Sequence, residues 1–387
     1  MGKILHLIPD EKVTDQMIEN FNSIGGGSVF LIFGKPGEDL LHTKNLAGNV
    51  ILFDDSKSLG EHVSLEEVSS IVLHSFRVEF ARLILTIDLN IKVAWVVWGY
   101  DVYSLPKIRP ALFADRTNRF LLSSNNKLFL ERLIKKSGFL RKIYYNLFLN
   151  SEDYYSILFK GLKRVNYFCT YVKEDFDFFS RYYPNRMTFY NVAISSIKQY
   201  LAGNDSLYLS DNAANIILGN SSASENNHLD AIAKLSNSSF DVKSIKIFVP
   251  LSYSSEESYK QKVLEDGKSQ LKESFVPLLS FMGREEYIQI LQSCNVGIFY
   301  HYRQQAMGNI IAMLFMGARI YLSSRNPIYL YFNRLGVKVF DFDAEFDKYS
   351  NTKLSEEEIK SNRTILESIF SEEVVHKNLL GLVNILS

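Results

Sequence analysis

Residues 215–230 read NIILGNSSASENNHLD, and this stretch decides the fold. The apolar run Ile216–Leu218 predicts a β-strand that Gly219 ends, and the amphipathic segment His228–Leu235 predicts a helix. A strand, a loop of small polar residues and a helix start present free backbone N–H groups to an anion. Gly219 and the small residues at 221–224 would let a phosphate approach the backbone closely. The alternative is an ordinary strand-to-helix loop, since many such loops bind nothing.

The same alternation of apolar runs and helical patterns extends along both halves of the chain. Strands separated by helices indicate βαβ units, so we predict α/β domains with parallel sheets. The predicted strands are Lys3–Ile8, Ser28–Phe33, Val50–Phe53, Ile71–His74, Val93–Trp98, Val165–Thr170, Ile216–Leu218, Ile245–Val249, Ser274–Leu279, Val296–Phe299 and Arg319–Leu322. The predicted helices are Thr14–Ser23, Ser58–Ser69, Val78–Leu89, Val172–Ser180, His228–Ser236, Ser255–Gly267, Arg284–Cys294 and Asn309–Met316.

A polar, irregular stretch separates the two halves. Residues 198–212 are rich in Gly, Asn, Asp and Ser, so we predict that they link two domains. The predicted domains cover residues 1–200 and 213–345, and residues 346–387 form closing helices that could pack back on the first domain. Ligands of such sheets bind beyond the carboxyl ends of the strands, so we expect a cleft between the domains and functional loops there.

Composition excludes several classes of protein. The 387 residues are 47% hydrophobic, which excludes wholesale disorder, and the formal net charge of zero argues against a general nucleic-acid binder. The two cysteines, Cys169 and Cys294, are far apart and show no metal-ligand spacing. The sequence contains no run of about 18 uncharged apolar residues, so we predict no transmembrane helix. We therefore expect a cytoplasmic protein that could touch a membrane surface.

A second strand-to-helix junction lies at residues 300–315, YHYRQQAMGNIIAMLF. It again directs a helix N-terminus and an arginine toward one point, which suits a pyrophosphate. A glycine at the helix start would permit close approach of the ligand. The polar and small residues of this junction are Arg303, Gln304, Gln305, Gly308 and Asn309.

Two further loops of the second half offer contacts for a nucleoside. Tyr253 follows a predicted strand and could stack on a base or a ribose. Phe281 lies in the segment Phe281–Gly283 before a predicted helix, whose backbone could contact a pyrimidine edge. Each is also ordinary loop chemistry.

In the first half, WGYDVY at residues 98–103 ends a predicted strand. The carboxylate of Asp101 could act there as a general base on a hydroxyl, and His74, which ends another strand, could assist. The alternatives are an aspartate that caps the following turn and a histidine held in the core.

The segment Lys127–Phe148, KLFLERLIKKSGFLRKIYYNLF, is basic and rich in aromatic residues. Apolar residues recur at roughly helical spacing among the cations. Such a segment suits an anionic membrane surface, although a solvated helix on its own domain is an equal alternative.

Four motifs in one order, WGYDVY, GNSSASENNH, YRQQAMGN and SRNP, resemble a known family. The chain is similar to the 4-acetamido-4,6-dideoxy-D-galactose (Fuc4NAc) transferases of glycosyltransferase family 56, which act in surface-polysaccharide assembly and build enterobacterial common antigen. The resemblance covers roughly residues 74–339. It implies a GT-B architecture, in which two Rossmann-like domains face each other across a cleft.

The resemblance also implies a reaction and a set of site residues. A dTDP-sugar would bind the second domain, and an undecaprenyl-diphosphate-linked saccharide would bind the first, at the inner face of the cytoplasmic membrane. Asp101 would occupy the acidic position of the WG-x-D-x-Y element. The matching donor-binding residues are Gly219, Asn220, Ser221, Asn227, His228, Arg303, Gln304, Gln305, Gly308 and Asn326.

We expect neither a metal nor another cofactor, because a helix N-terminus and an arginine can neutralise a leaving diphosphate. Two alternatives stay open. One is a GT-B transferase that uses another nucleotide sugar, and the other is a non-catalytic nucleotide-sugar-binding scaffold in a polysaccharide assembly complex.

Overall fold

A computed structural model describes residues 2–25, 27–34, 39–44, 46, 48–54, 57–124, 134, 137–201, 203, 207–241, 244–253, 256–350 and 352–387. The chain divides into two units. The first unit contains Met1–Pro106, Ile134–Ile194 and Glu373–Ser387, and the second contains Lys107–Leu133 and Ser195–Glu372. Unlike the predicted domains, the second unit thus includes a segment from the first half of the chain.

Within the described residues, the first unit has a seven-stranded sheet in the order β3-β2-β1-β4-β5-β6-β7. All neighbouring strands are parallel. The central strand β1 is buried at six successive positions, so its sequence is a continuous apolar run rather than an alternating one. The strands are β1 Lys3–Pro9, β2 Ser28–Phe33, β3 Val50–Leu52, β4 Val68–His74, β5 Lys92–Val96, β6 Tyr167–Cys169 and β7 Thr188–Tyr190.

The described part of the second unit has a six-stranded parallel sheet in the order β10-β9-β8-β11-β12-β13. Its core is formed by apolar strand residues and by large buried rings such as Tyr259, Tyr321 and Phe342. The predicted α/β fold with two parallel sheets is therefore confirmed. The strands are β8 Asn215–Leu218, β9 Ile247–Pro250, β10 Phe275–Leu278, β11 Cys294–Phe299, β12 Arg319–Leu322 and β13 Phe340–Asp341.

Helices connect the strands in both units. Those of the first unit are Thr14–Ile24, Leu59–His62, Val78–Leu85, Tyr100–Tyr103, Gly138–Phe148, Tyr154–Leu162 and Lys173–Tyr182, and almost all of Glu372–Leu386 joins them. Those of the second unit are Asp115–Ser124, Ile197–Tyr200, His228–Asn237, Glu257–Leu271, Arg284–Gln292, Met307–Met316, Pro327–Leu335, Phe342–Tyr349 and Glu356–Phe370. Single 3₁₀ turns lie at Leu65–Glu67, Arg109–Leu112, Ser224–Asn226 and Lys272–Ser274.

Some predicted elements differ from the structure. The predicted helix Ser58–Ser69 is wrong, because pairing with β1 extends β4 back to Val68 and leaves only the short turns Leu59–His62 and Leu65–Glu67 before it. The predicted helix Val78–Leu89 ends at Leu85. Strand β7 was not predicted, since its three residues carry too short a pattern. The predicted linker begins with a helical turn whose Tyr200 packs against Phe370 in the second unit.

Each sheet has one point at which the direction of strand addition reverses. In the second sheet the chain passes from β8 to β9 and β10 on one side and then returns to β11 on the other side of β8. Loops after strands on either side of such a switch point diverge and leave a crevice for a ligand. The switch points lie between β8 and β11 in the second unit and between β1 and β4 in the first.

Candidate functional site

The two predicted phosphate loops follow β8 and β11, the strands that flank the switch point of the second sheet. The backbone N–H of Gly219 donates to the Ile298 carbonyl over 2.9 Å, so the turn after β8 begins against β11. Nε2 of Gln305 then donates to Oδ1 of Asn220 over 2.7 Å. The side chains of the two loops are thus joined directly, and the loops form one candidate site.

The turn after β8 is closely packed around Gly219. This residue has a φ of +71°, and a Cβ on it would lie 2.7 Å from Nε2 of His228. Asn226 closes the loop, because its side-chain Nδ2 donates to the Ser221 carbonyl over 3.0 Å and its Oδ1 accepts from the Asn220 N–H. Asn226 was not among the predicted site residues. It fixes the curvature of this loop, whose backbone N–H groups at positions 219, 220, 222 and 224 are all bonded within the protein.

Asn227 serves a different purpose from Asn226. Its side-chain oxygen accepts from the Ala114 N–H over 2.9 Å, and its Nδ2 donates to the carbonyls of Leu112 and Tyr300 over 3.1 Å each. Both ends of this buried amide are therefore bound to backbone groups. Asn227 holds residues 112–114 against the end of β11, and Asp230 continues the attachment by accepting from Thr117.

Two fully buried histidines, His228 and His301, lie where the loops after β8 and β11 meet. Burial lowers the pKa of both His228 and His301 to about 3, so both rings are neutral at physiological pH. The Nε2 atoms of both rings are buried and lack a hydrogen-bond partner among the described residues. His301 was not predicted, because a lone histidine at the end of an apolar strand has no sequence signal that separates a core role from a site role.

Nδ1 of His301 lies 2.8 Å from two groups, the Arg303 carbonyl and Nδ2 of Asn326. The first contact needs a proton on Nδ1 and the second needs its lone pair, so these neighbours are compatible with either neutral tautomer. Nδ2 of Asn326 also donates to the His301 carbonyl over 2.8 Å. Oδ1 of Asn326 also caps the helix Pro327–Leu335 through the Ile328 N–H, so Asn326 ties the third predicted turn to this site.

The helix Met307–Met316 begins beside the meeting point of these two loops, and no side chain caps its N-terminus. Ala306, with a φ of +59°, turns the chain into the helix. Because the first turn has no acidic residue, its backbone N–H groups and the helix dipole favour an anion. Arg303 and Gln304, in the preceding loop, are half-buried.

Gly308 and Asn309 lie in the first turn of this helix. A Cβ on Gly308 would meet Tyr200 Cδ1 at 3.5 Å, an ordinary contact, so the protein itself does not require glycine there. The side chain of Asn309 donates to the Tyr287 hydroxyl over 2.8 Å and thus binds the neighbouring helix Arg284–Gln292.

The rim of the loop after β8 carries an exposed aromatic ring and an ionic cluster. Tyr253 is 60% exposed, and its carbonyl accepts from both the N–H and the hydroxyl of Ser222 over 2.9 Å. Arg109 lies 3.5 Å from Glu225 and 3.6 Å from Glu256. Oε2 of Glu256 also accepts from the Ser224 N–H, so this unpredicted cluster is attached to the loop.

Phe281 is 76% exposed in the loop after β10. Its ring therefore presents an aromatic face to solvent near the edge of the second sheet.

In the first unit, Asp101 is buried beneath the turn after β4. Its Oδ2 accepts from Trp95 Nε1 over 2.6 Å and from the Phe76 N–H over 3.0 Å. Burial raises the pKa of Asp101 to about 6. Oδ1 accepts from the Val102 N–H over 3.2 Å. The carboxylate is thus both a structural acceptor and a group that titrates near neutral pH.

His74, the second predicted catalytic residue, lies inside the same unit. Its Nε2 is 3.0 Å from Nδ1 of His6, and burial lowers the pKa of His74 to about 3. Ring contacts with Phe21 and Trp98 enclose it further. These contacts suit the alternative of a core histidine.

The predicted basic segment is only partly described. Lys127, Arg132, Lys135 and Lys136 lie outside the described residues. Arg141 is 6% exposed and pairs with Asp153, Nε to Oδ2 over 3.2 Å, so this cation faces the interior. Among the described residues, every helix falls short of the length and hydrophobicity that a membrane crossing needs.

The family model of the 4-alpha-L-fucosyltransferases, glycosyl transferase group 56, matches residues 115–375. The chain belongs to glycosyl transferase group 56. The matched range contains both phosphate loops, the ionic cluster residues Glu225 and Glu256, and the Asn326 turn. The predicted family and the prediction of a glycosyltransferase are therefore confirmed.

Solved structures of low sequence identity share the fold of this chain. A glycosyltransferase from Rickettsia africae ESF-5 aligns with a TM-score of 0.57 at 12% identity, over 100% of this chain and 98% of that one. Sucrose-phosphate synthase from Thermosynechococcus elongatus gives 0.59 at 11% identity, over 99% of each chain. An Anabaena protein in complex with UDP and glucose gives 0.59 at 10% identity, over 99% of this chain and 100% of that one. The group 56 chain thus shares the fold of GT-B glycosyltransferases.

Proposed function

We propose that this group 56 glycosyltransferase moves a 4-acetamido-4,6-dideoxyhexose, Fuc4NAc-like, from a dTDP-sugar to a lipid-linked saccharide. The observation that carries the proposal is the junction at the switch point of the second sheet. There, the Asn220 and Gln305 side chains join the loops after β8 and β11 over 2.7 Å, next to an uncapped helix N-terminus. Free N–H groups at that position favour a diphosphate.

The chemistry of the junction assigns a part of the donor to each side chain. Arg303 and the first turn of Met307–Met316 bind the diphosphate, and Gln304 and Gln305 donate to the sugar or to phosphate oxygens. Gly308 leaves room at the helix start. The exposed rings of Tyr253 and Phe281 stack on the thymidine.

His228 and His301 contribute as neutral residues. Each ring is neutral at physiological pH and keeps a single N–H, so neither carries the extra proton that a general acid would give to the leaving diphosphate. Asn227 and Asn326 hold the loops through backbone groups and act as positioning residues.

In the reaction, a hydroxyl oxygen of the acceptor forms a bond to the anomeric carbon of the donor sugar. The bond from that carbon to the diphosphate oxygen breaks, and dTDP leaves with the bonding electrons. The hydroxyl proton passes to a base in the first unit. Asp101 is proposed for that role, because its carboxylate titrates near pH 6 and Oδ1 keeps free acceptor capacity beyond its bond to Val102.

We propose that no metal ion takes part. Positive charge from Arg303 and from the helix dipole neutralises the leaving dTDP. Turnover that persists after exhaustive treatment with EDTA is expected, and loss of activity that Mg²⁺ or Mn²⁺ restores would refute this part of the proposal.

The acceptor places the enzyme at a membrane. An undecaprenyl-diphosphate-linked saccharide stays in the bilayer, so the enzyme must act as a peripheral protein on the inner face of the cytoplasmic membrane. The segment Lys127–Phe148 is proposed to make that contact with anionic lipid.

A GT-B transferase with another nucleotide sugar is the alternative, and it is favoured by the UDP bound to the Anabaena structure. Incubation of the purified full chain with dTDP-Fuc4NAc or UDP-glucose and a lipid-linked acceptor separates these functions. Release of dTDP that depends on the acceptor is expected. Release of UDP alone favours the alternative, and binding of either donor without any turnover favours a non-catalytic scaffold.

A further inference from the structure

The helix Gly138–Phe148 exposes its apolar side chains. Phe139 is 73% exposed and Leu147 is 74% exposed. Together with Ile143 they recur every four residues, which places them along one side of the helix. A surface helix of a globular protein normally turns such a stripe toward the core. The exposed large apolar residues of this helix and its end are Phe139, Leu140, Ile143, Leu147, Phe148 and Leu149.

The inward side of the same helix carries one of its two cations. Arg141 pairs with buried Asp153, and its guanidinium lies 5.4 Å from the ring centres of both Tyr155 and Phe159. This buried pair attaches the helix to the next one, Tyr154–Leu162. The orientation is therefore fixed by the protein, with the apolar stripe outward.

Lysines flank the stripe on one side. Lys142 and Asn146 lie one turn apart and line a depression together with Lys160 and Lys163. The three lysines are exposed, and none forms an ion pair with a described residue. Of the two acidic residues that also line the depression, Asp153 is paired with Arg141, and Glu152 lies 3.7 Å from Arg82. Uncompensated positive charge therefore borders the apolar stripe.

We propose that this surface inserts into the boundary between headgroups and acyl chains of an anionic phospholipid bilayer. Phe139, Ile143 and Leu147 enter the apolar zone, and Lys142, Lys160 and Lys163 meet lipid phosphates in and around the depression. This inference rests on the membrane contact in the proposed function and deepens it. It assigns the contact to the exposed stripe and its lysines, because Arg141 is held inside and cannot adsorb to lipid.

A lipid surface fits the side chains better than a protein partner does. Lysine is depleted in protein–protein interfaces relative to the rest of the surface, whereas an apolar stripe bordered by lysines is the pattern of interfacial helices. The interface between two copies of the chain is the competing explanation, and the experiment separates the two.

The experiment measures binding of the full chain to vesicles of phosphatidylglycerol and phosphatidylcholine, and to vesicles of phosphatidylcholine alone. The apolar variant is Phe139→Ser with Leu147→Ser. Its matched control is Leu41→Ser with Leu89→Ser, two leucines of the first unit that are 68% and 80% exposed. The charge variant reverses Lys142, Lys160 and Lys163 to Glu. Its control reverses Lys246, Lys268 and Lys353, which are exposed lysines of the second unit.

Burial of each large apolar side chain contributes tenfold or more to partition, so the apolar variant should lose about 100-fold in binding to anionic vesicles. Each lysine contributes about fivefold, so the charge variant should lose at least about 100-fold on anionic vesicles and little on neutral ones. Raised salt should weaken wild-type binding without abolishing it. Both controls should bind as wild type.

Wild-type binding by the apolar variant, or equal binding to both kinds of vesicle, would overturn the proposal. A wild-type dimer that Phe139→Ser with Leu147→Ser converts to a monomer, in sedimentation without lipid, would assign the stripe to self-association instead. Melting temperature and dTDP affinity are measured on every variant. Failure to bind vesicles with intact dTDP binding refutes only the docking surface, and absent dTDP binding by wild type refutes only the donor assignment.

Discussion

Replacement of Gly219 by alanine should destabilise the second unit strongly. The residue has a φ of +71°, and a Cβ would lie 2.7 Å from His228 Nε2 and 3.1 Å from Asn226 Oδ1. A left-handed conformation costs a residue with a side chain about 1–2 kcal/mol. Overpacking a buried site adds about 1–3 kcal/mol. Because His228 and Asn226 are fully buried, neither can move aside freely, and we expect a loss of about 2–5 kcal/mol in the free energy of unfolding.

Gly308→Ala is the matched control on the other phosphate loop. Its Cβ would make an ordinary 3.5 Å contact with Tyr200, and alanine in a helix gains up to about 1 kcal/mol over glycine. The free energy of unfolding should therefore be unchanged or higher. The affinity for dTDP should nevertheless fall, because the new methyl group stands where the diphosphate is proposed to approach the helix.

The assay uses urea unfolding followed by two probes. Both tryptophans, Trp95 and Trp98, lie in the first unit, so their fluorescence reports that unit, whereas far-UV circular dichroism reports both. Gly219→Ala should move the dichroism transition to lower urea, with a smaller change in fluorescence. Wild-type stability of Gly219→Ala would refute the packing of His228 against the loop, and wild-type dTDP affinity of Gly308→Ala would refute the diphosphate position.

Four further predictions concern individual side chains. Arg303→Ala should weaken dTDP binding by about 1.5–3 kcal/mol in calorimetry, which is the range for a charged hydrogen bond. The control variant Lys268→Ala should leave the affinity for dTDP unchanged. Equal affinities of the two variants would show that Arg303 does not bind the diphosphate. Asp101→Asn should lower kcat by about 10²–10⁴ with dTDP affinity intact, and a variant with near-wild-type turnover would exclude Asp101 as the base. Burial raises the pKa of Asp101 to about 6, so protonated Asp101 stabilises the fold below pH 4, and this stabilisation is lost as the pH rises through 6. The free energy of unfolding of the wild type should thus fall by about 3 kcal/mol relative to that of Asp101→Asn between pH 3.5 and 7.5. Parallel pH profiles of unfolding for the two proteins would contradict this. The pH dependence from His228 and His301 runs in the opposite direction, because burial lowers the pKa of each to about 3. The neutral rings stabilise the fold fully above pH 6.5, and each should lower the free energy of unfolding by about 2 kcal/mol at pH 5. A His301→Gln variant with the same acid sensitivity as wild type would show that His301 is not held neutral.

The sequence predicted the fold well where the signal was local, and it placed both candidate phosphate loops after strands of the second sheet. Strand–loop–helix junctions at Gly219 and at Arg303–Gly308 are encoded within about 15 residues each, and the switch-point rule brings them together. The turn at Asn326 is equally local, because a helix-capping residue before Pro327 has a clear signature.

The partners that hold the site could not be predicted, because they are distant in the chain. Asn227 binds the backbone at Leu112 and Ala114, more than a hundred residues earlier, and no periodicity signals such a contact. The same limit applies to the cluster of Arg109 with Glu225 and Glu256.

Periodicity also failed to show which face of a helix is buried. The spacing in Lys127–Phe148 indicated an amphipathic helix that suits an anionic surface. Arg141 of this segment faces the interior, because it pairs with the buried carboxylate of Asp153 and a buried charge needs a partner. Asp101 and His74 show the same limit, because only their neighbours decide between a base and a structural residue.

Calorimetry of nucleotide diphosphates with the full chain tests the central claim most directly. We expect dTDP to bind with higher affinity than UDP, GDP or ADP, in a manner that requires Arg303 and tolerates EDTA. Equal or tighter binding of UDP or GDP would contradict the assignment of the junction at Gly219 and Arg303 as a dTDP-sugar site.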